Sequence, residues 1–446
     1  MRNDVPRDVA GARALAKRVL GFATGADQAQ VSVDFSDDAY ARFARNYVVQ
    51  NLTTSRGEAR VTLVKDKHLA TVATSDLSEA SLRKAIADAR EIAARVPVNR
   101  EFVSLALPAA IPAPVRSVYA ATSDATPDAR IDKLLPVFAR MERSRLSSSG
   151  FTTTQTSARA VVNSLGVDAT HVETYGGLEI KAIASNTSGF AEFFSRDYAA
   201  VDAAERAERA ASKATVSSEP HDFPPGTYTV LLEPPAFVDC LNNVLEGMNV
   251  GSVLEEKNSW LIDRLDRQVL SPNFTLRDDW SHPLLANAPF ASDGTPTQKL
   301  TLIEAGVPKR YVSSTYLANK LRVPNTGHDG YPINAVVTPG TKSREELIAS
   351  IERGILISRT WYTRMVDPRE CTITGLTRDG VFLIENGKLT KTLKNFRFFT
   401  SMMTALADVE LGKTLYLAES ADTPTTLAVP DAKIAKFTLS AQTSFA

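Results

Sequence analysis

The spacing of apolar residues changes repeatedly along the first hundred positions, and this change constrains the fold more than any single motif. Asp8–Phe22 carries apolar side chains at helical spacing, whereas Gln30–Phe35 alternates apolar and polar residues, as a half-buried strand does. A helix that begins with Asp76 and Glu79 as a capping box is predicted to run to Val96. Two more strands are predicted between these segments, at Ala59–Lys65 and His68–Thr74. Helices and strands therefore alternate, which predicts an α/β arrangement for this part of the chain.

The length of 446 residues exceeds what one hydrophobic core normally holds, so two or three domains are expected. Several prolines within Val216–Gly226 mark the best boundary. Beyond it, the sequence predicts a helix that Gly247 ends and a hairpin that turns at Asn386-Gly387. We predict an α+β fold, with an amino-terminal α/β domain over residues 1–220 and a β-rich carboxy-terminal domain over residues 221–446.

Charge and apolar content exclude several classes of protein. Lys and Arg together number 51, as do Asp and Glu, so the chain lacks the basic excess of a nucleic-acid-binding or membrane-surface protein. No apolar run reaches the roughly 18–20 residues that a membrane-spanning helix needs, and Met1–Pro6 lacks the apolar stretch of a signal peptide. Two cysteines in this length do not form a disulfide framework. We therefore expect a cytoplasmic protein that binds neither membranes nor nucleic acid directly.

The five histidines and two cysteines are scattered along the chain. A zinc site or a histidine-activated nucleophile is typically marked by close spacing, because a helix or turn then holds two ligands on one face. No such pair occurs here, although ligands from distant segments could still converge in the folded chain. No G-x-S-x-G motif marks a serine nucleophile. Cys240 and Cys371 are expected to be structural, with Cys240 a small buried side chain.

Two carboxylates in the helix that precedes Gly247 are candidates for catalysis. Asp239 and Glu246 lie seven positions apart on one helical face. They are either paired carboxylates for acid–base chemistry or members of a solvated face, and the second interpretation is favoured.

Three polar loops are candidates for binding. His328 lies between glycines, where Asp329 can orient its imidazole, or where Thr326 and Asp329 merely stabilise turns. Asp293-Gly294 and the segment Arg378-Asp379-Gly380 indicate turns first and recognition second.

Several segments together resemble the TldD/PmbA family, also described as modulator of DNA gyrase or as U62-type peptidases. Val161–Gly166 resembles the family's NSxG turn, and Pro225–Leu232 resembles the strand that enters its carboxy-terminal domain. Further segments follow in the family's order, at Gly251–Leu270, Pro289–Gly294, Tyr316–His328 and Thr377–Lys388. The match spans roughly residues 150–395, and the collinear order of the motifs is more specific than any one of them.

The resemblance implies one of two kinds of subunit. In this family a TldD-type subunit carries an HExxxH helix that binds zinc, and a TldE or PmbA-type subunit lacks that motif and pairs with it. Leu245-Glu246-Gly247 resembles the residues after HExxxH, which places the first His, the Glu and the second His on Val238, Asp239 and Asn243. Valine cannot bind a metal, and asparagine offers zinc only a weak neutral oxygen. The chain thus resembles the TldE/PmbA-like subunit, with no metal site and no catalytic residue of its own.

The function implied by the resemblance is that of a non-metal-binding subunit in a metallopeptidase complex for peptide maturation or protein degradation. Zinc is expected in the TldD-type partner and no cofactor in this chain, which is not expected to cleave peptides alone. Contacts with a peptide, an unfolded protein segment or the partner are expected at Asp293, Thr326, His328, Asp329, Arg378 and Asp379. Two alternatives stay open: a self-sufficient hydrolase with a Ser or Thr nucleophile, and a homodimeric peptide-binding protein without a proteolytic partner.

Overall fold

The computed structural model describes residues 6–423 and 425–443. Residues 1–5, which form most of the polar segment Met1–Pro6, lie outside the described residues, as do residue 424 and residues 444–446. Helices and two β-sheets make up the described chain, which confirms the predicted α+β class. Within the described ranges, no helix is both long and apolar enough to cross a membrane.

The described residues of the amino-terminal half form six strands and five α-helices. The helix predicted over Asp8–Phe22 is present as α1, and Asp8 caps it by accepting a hydrogen bond from Gly11 N at 2.7 Å. The elements are α1 Val9–Leu20, β1 Gln28–Ala44, β2 Tyr47–Lys65, β3 His68–Thr74, α2 Glu79–Ala93, α3 Ala120–Ser123, α4 Pro127–Arg143, β4 Ser147–Asn163, β5 Asp168–Ile183, β6 Ser188–Ser195 and α5 Ala203–Ala214.

The carboxy-terminal half contains mostly short strands. Its elements are β7 Gly226–Leu232, α6 Pro234–Glu246, β8 Leu276–Asp278, β9 Leu300–Glu304, β10 Val307–Pro308, α7 Thr315–Leu321, β11 Ala335–Val337, α8 Arg344–Ala349, β12 Arg353–Asp367, β13 Thr372–Glu385, β14 Lys388–Thr392, β15 Phe396–Ser401, α9 Met402–Leu406, β16 Val409–Leu411, β17 Tyr416–Glu419, β18 Thr426–Val429 and β19 Ala432–Gln442.

The first sheet has twelve strands in the order β10-β9-β8-β11-β18-β17-β6-β5-β4-β1-β2-β3. Leu417 of β17 pairs with Phe194 of β6, so strands from both halves of the chain belong to one sheet. One face of β1, β2 and β4 is covered by α1 and α2, with Val31, Val33 and Phe35 in the shared core. The opposite face of these strands is polar. The division into domains at residue 220 stays a prediction, because the sheet continues across it.

The second sheet joins β12, β7, β19, β15 and β13 in that order, and β12 also pairs with β13, so these strands close on themselves. Strand β14 adds to β13, and β16 adds to β19. Their apolar side chains form the largest core of the protein, which also takes in most of α6 and the fully buried Trp260. The position of α6 is therefore fixed by burial of its apolar side chains against these strands.

Local predictions were mostly confirmed. Asn386 and Gly387 have φ angles of 50° and 75° and join β13 to β14, as the predicted hairpin requires. The predicted cap at Asp76 was wrong, because Ser78 caps α2 by accepting a bond from Ser81 N at 3.3 Å. Asp76 instead accepts hydrogen bonds from Ser78 N and Ser81 Oγ just before the helix.

Candidate functional site

Helix α6 carries the positions that the family resemblance compares with a zinc motif. It begins with Pro234 and Pro235 and ends before Gly247. Proline is tolerated in the first turn of a helix because a backbone N–H at that position would have no partner within the helix. All of its residues from Pro234 to Leu245 are buried, and Glu246 is exposed. Val238 has no exposed surface and lies in the large core.

Asp239 was expected on a solvated face, and this expectation was wrong. Only 2% of the residue is exposed, and both carboxylate oxygens accept hydrogen bonds. Ser420 Oγ and Ala421 N donate to Oδ1 at 2.7 and 3.0 Å, and Thr360 Oγ1 donates to Oδ2 at 2.7 Å. Burial raises the pKa of Asp239 to about 6, although the hydrogen bonds from Ser420 and Thr360 oppose this shift.

Asp422 extends the same arrangement to strand β12. Its carboxylate accepts hydrogen bonds from Tyr362 N at 3.1 Å and Thr363 N at 2.6 Å, where the register of β12 against β13 shifts. Tyr362 has a φ angle of 53°, which is strained for an aromatic residue. Arg364 lies 3.4 Å from the Asp422 carboxylate. Residues 420–423 are thus tied both to α6 and to an irregular stretch of β12.

A cavity of about 490 Å³ lies over this arrangement. Its walls are polar side chains of α6, β12 and the 420–423 segment, namely Asp239, Asn242, Asn243, Glu246, Thr363, Arg364, Ser420, Asp422 and Thr423, together with Met365. The walls carry three carboxylates and one guanidinium, so the cavity can bind a polar group.

The side chains on α6 do not fit a zinc ion. Val238 offers no donor atom, and both oxygens of Asp239 are held by protein hydrogen bonds. Asn243 donates through Nδ2 to the backbone oxygen of Asp239 at 3.0 Å, one helical turn earlier. Across residues 6–423 and 425–443, no group of three or more His, Cys, Asp or Glu side chains could hold a metal ion. No step through a metal on this helix can therefore be derived.

His328 and Thr326 lie together in a buried cluster. His328 is 3% exposed, its Nδ1 is 3.0 Å from Thr326 Oγ1, and its Nε2 is 3.2 Å from Asp278 Oδ1. Asp278 is fully buried and accepts hydrogen bonds from the backbone N and the side-chain Nδ2 of Asn334. Thr326 Oγ1 accepts from Ser313 N at 2.8 Å. The imidazole therefore packs inside the loop, close to Asp278 of strand β8.

Asp329 and Asp293 stabilise the loop that faces this cluster. Asp329 accepts hydrogen bonds from the backbone N and the hydroxyl of Ser292. Asp293 accepts from Thr295 N at 2.9 Å and from Thr315 Oγ1 at 2.5 Å. A cavity of about 380 Å³ adjoins His328 and Asp329. Both carboxylates act as loop supports in this geometry.

Arg378 and Asp379 lie in a third place, on β13. Lys181 Nζ donates to Asp379 Oδ1 at 2.5 Å, which links the two sheets. Asp379 has a φ angle of 55°, and Arg378 lies over the Trp361 ring at 4.6 Å from its centroid. The predicted contact residues therefore fall into two separate groups, and neither group lines the α6 cavity. Their role in binding stays a prediction.

Sequence reasoning missed the residues that hold Asp239, and it also missed a buried ionic cluster. Glu233, which precedes α6, is 3% exposed and contacts Lys213, Arg209 and Arg344. Burial would raise the pKa of Glu233, but the attraction of Lys213 and Arg209 outweighs it and lowers this pKa. Burial lowers the pKa of Lys213 to about 8. The only local sign of this cluster in the sequence is that a charged residue, Glu233, directly precedes Pro234-Pro235.

Comparison with protein families identifies the class of protein. The PmbA/TldA metallopeptidase central domain matches residues 115–217, and the PmbA/TldA metallopeptidase C-terminal domain matches residues 225–440. The fold and the matched regions together define a metallopeptidase-like protein. The chain belongs to the PmbA/TldD family.

Curated relatives match over a shorter stretch. The chain is 28% identical over 149 residues to Metalloprotease PmbA of Escherichia coli O157:H7, and 32% identical over 144 residues to a Metalloprotease PmbA homolog of Haemophilus influenzae. Each alignment covers about a third of this chain and of the relative, namely 32% in the first case and 31% in the second.

Solved structures match along almost the whole chain. TldE from Thermococcus kodakarensis superposes with a TM-score of 0.83 at 22% identity, covering 96% of this chain and 99% of that one. A candidate modulator of a DNA gyrase from Thermotoga maritima superposes with a TM-score of 0.81 at 19% identity, covering 95% and 99%. At these identities the comparison establishes a shared fold.

Proposed function

We propose that the chain is the non-metal-binding subunit of a TldD/TldE-like metallopeptidase complex and that it pairs with a zinc-bearing TldD-type subunit. The complex acts in peptide maturation or protein degradation in the cytoplasm. Family membership and the fold shared with an archaeal TldE support this proposal.

The geometry of α6 carries the proposal. Val238 is buried in the core, and the carboxylate of Asp239 accepts three hydrogen bonds from protein groups. Asn243 donates a hydrogen bond to the backbone oxygen of Asp239 in the same helix. A catalytic zinc needs three protein ligands and one open position, and these residues supply none of them. The helix therefore serves as a structural support, and the metal chemistry belongs to the partner.

The chain's own residues form one wall of a compartment for peptides. Asp239 and Asp422 fix residues 420–423 against α6 and β12, which keeps the cavity over α6 in one shape. The zinc ion of the partner supplies Lewis-acid activation of water. This chain contributes shape, hydrogen-bonding groups and stability to the complex.

The proposal is tested by mixing the purified chain with a paralogue that carries an HExxxH helix and following cleavage of an unstructured, dye-labelled peptide by mass spectrometry. We expect no cleavage by this chain alone, cleavage by the mixture, and none when the Glu of the paralogue's motif is replaced by Gln. Cleavage by this chain alone in the presence of EDTA supports the self-sufficient hydrolase instead. A stable homodimer that binds peptide and ignores the paralogue supports the homodimeric binding protein.

A further inference from the structure

The polar face of the first sheet forms the floor of a large groove. On strands β1, β2, β4 and β5, every second side chain points away from the core that α1 and α2 cover. The strand pairing aligns these side chains into rows across the four strands. One row contains Glu58, Asp34, Arg159 and His171, and the next contains Arg56, Ser36, Ser157 and Glu173.

The groove has a volume of about 1100 Å³ and opens into the cavity of about 380 Å³ beside His328. Arg159, Glu173 and Ala288 line both, so the two spaces are continuous. A pocket for a drug-sized ligand measures about 300–1,000 Å³, and this groove exceeds that range. Four strands at a spacing of about 4.8 Å span roughly 14 Å, which is the length of four or five residues of extended chain.

Most of the charged side chains along the groove have partners of opposite charge. Arg159 Nε is 2.5 Å from Asp34 Oδ1, and Arg60 Nη2 is 2.8 Å from Glu58 Oε1. Glu173 lies 3.3 Å from Arg196 Nη1. Charges paired in this way attract neither an acidic nor a basic ligand strongly, so the groove favours a ligand without net charge.

His171 is the feature that points to a ligand. It is 6% exposed, it lines the groove, and its Nδ1 has no hydrogen-bond partner within the described residues. Its Nε2 lies 3.3 Å from Glu173 Oε2, which is the contact that this nitrogen makes. Buried polar atoms are normally hydrogen-bonded, so an unpartnered Nδ1 beside a groove indicates a missing partner. Depending on the tautomer, Nδ1 can donate to a peptide carbonyl or accept from a peptide N–H, so it complements a peptide unit.

We propose that this groove binds an extended, uncharged polar segment of a polypeptide, and that His171 hydrogen-bonds one of its peptide groups. This inference rests on the proposed function, because it takes a peptide as the substrate of the complex. It adds the place at which this chain holds that peptide, away from α6. The segment lies across β2, β1, β4 and β5, and it continues toward the His328 loop.

The test uses the full chain and a fluorescein-labelled pool of dodecapeptides made from Ser, Thr, Asn, Gln, Gly and Ala, with binding followed by fluorescence anisotropy. His171→Leu removes both hydrogen-bonding atoms, and we expect binding to weaken about threefold to tenfold. Ser157→Trp fills the floor of the groove, and we expect a loss of more than tenfold. Ser32→Trp, two rows away, is the second steric variant if Ser157→Trp does not fold.

Matched controls carry the same substitutions at exposed positions outside the groove, His221→Leu and Ser218→Trp, and we expect both to bind as the wild type does. The groove assignment is overturned if the folded His171→Leu variant and a folded steric variant bind the peptides with wild-type affinity. It is also overturned if the wild-type chain binds the neutral oligosaccharide maltohexaose but no peptide. Cleavage by the mixture with the HExxxH paralogue is measured separately. If the mixture cleaves peptide and the groove variants bind peptide as the wild type does, this inference is contradicted and the proposed function is supported. If the mixture does not cleave peptide but peptide binding depends on the groove, the proposed function is contradicted and this inference is supported.

Discussion

Replacement of Asp239 by Asn removes an ionisable group from the interior while keeping its shape. In the variant, Oδ1 can still accept from Ser420 and Ala421, and Nδ2 can donate to the Thr360 hydroxyl. The buried carboxylate is penalised when it ionises, because burial raises its pKa to about 6 from an ordinary value of 3.8. We therefore expect Asp239→Asn to change how the stability of the protein depends on pH.

The sign and size of the effect follow from linkage. Between pH 3.8 and 6 the folded state holds a proton on Asp239 that the unfolded state has released, so stability falls as pH rises through this window and levels off above it. The full difference between low and high pH is about 3 kcal/mol, of which about 1.4 kcal/mol falls between pH 5 and pH 8. The variant lacks this loss, so its stability relative to the wild type rises by about 1.4 kcal/mol over that interval.

The assay is urea unfolding at pH 5, 6, 7 and 8, followed by tryptophan fluorescence. One of the three tryptophans, Trp260, donates a hydrogen bond from Nε1 to Val244 O of α6. The difference between variant and wild type at each pH cancels the contributions of the other ionisable groups. Glu304→Gln, at an exposed position, serves as the matched control and is expected to show no pH-dependent difference. A stability difference for Asp239→Asn that stays constant within about 0.3 kcal/mol refutes the reasoning.

Three further outcomes are expected. Glu233→Gln leaves the Lys213 ammonium buried without its carboxylate and is expected to destabilise the protein by about 3–5 kcal/mol, measured by urea unfolding; a loss below 1 kcal/mol contradicts the role given to this cluster. Asn163→Ala removes the hydrogen bonds that the side chain makes to Leu165 N, Val167 N and Ala106 O, and it is expected to lower the free energy of unfolding by about 1–3 kcal/mol. An unchanged free energy of unfolding shows that the turn after Asn163 does not depend on these bonds. Burial raises the pKa values of Cys240 and Cys371, so both thiols are expected to resist DTNB at pH 8 until the protein is denatured; rapid labelling of the native chain is the contrary result.

Sequence patterns predicted the helix ends and turns that are determined by residues at that same place in the chain. Gly247 was correctly predicted to end α6, and Asn386-Gly387 to form the hairpin turn, because each acts through the backbone of its own turn. Strand β1 was predicted only from Gln30 to Phe35, although it extends to Ala44. Its second half buries small side chains among polar ones, which weakens the alternation that marks a strand.

The environment of the candidate site could not be predicted in the same way. Asp239 is buried because Thr360 and Ser420 supply hydrogen bonds from 121 and 181 positions away, and no spacing within α6 reveals them. The loop residue His328 likewise lies 3.2 Å from Asp278, which belongs to strand β8 and cannot be paired with it from the sequence. Long-range pairing decides whether a polar residue is solvated or enclosed, so the helical face of Asp239 was assigned to solvent in error.

The zinc content of the purified proteins tests the central claim most directly. Inductively coupled plasma mass spectrometry on this chain, on the HExxxH paralogue and on their complex gives the number of zinc ions per chain. We expect no stoichiometric zinc in this chain alone and one zinc per pair in the complex, carried by the paralogue. One zinc per copy of this chain, retained after dialysis against a weak chelator and lost in Asp239→Asn, contradicts the proposal that α6 is a structural helix.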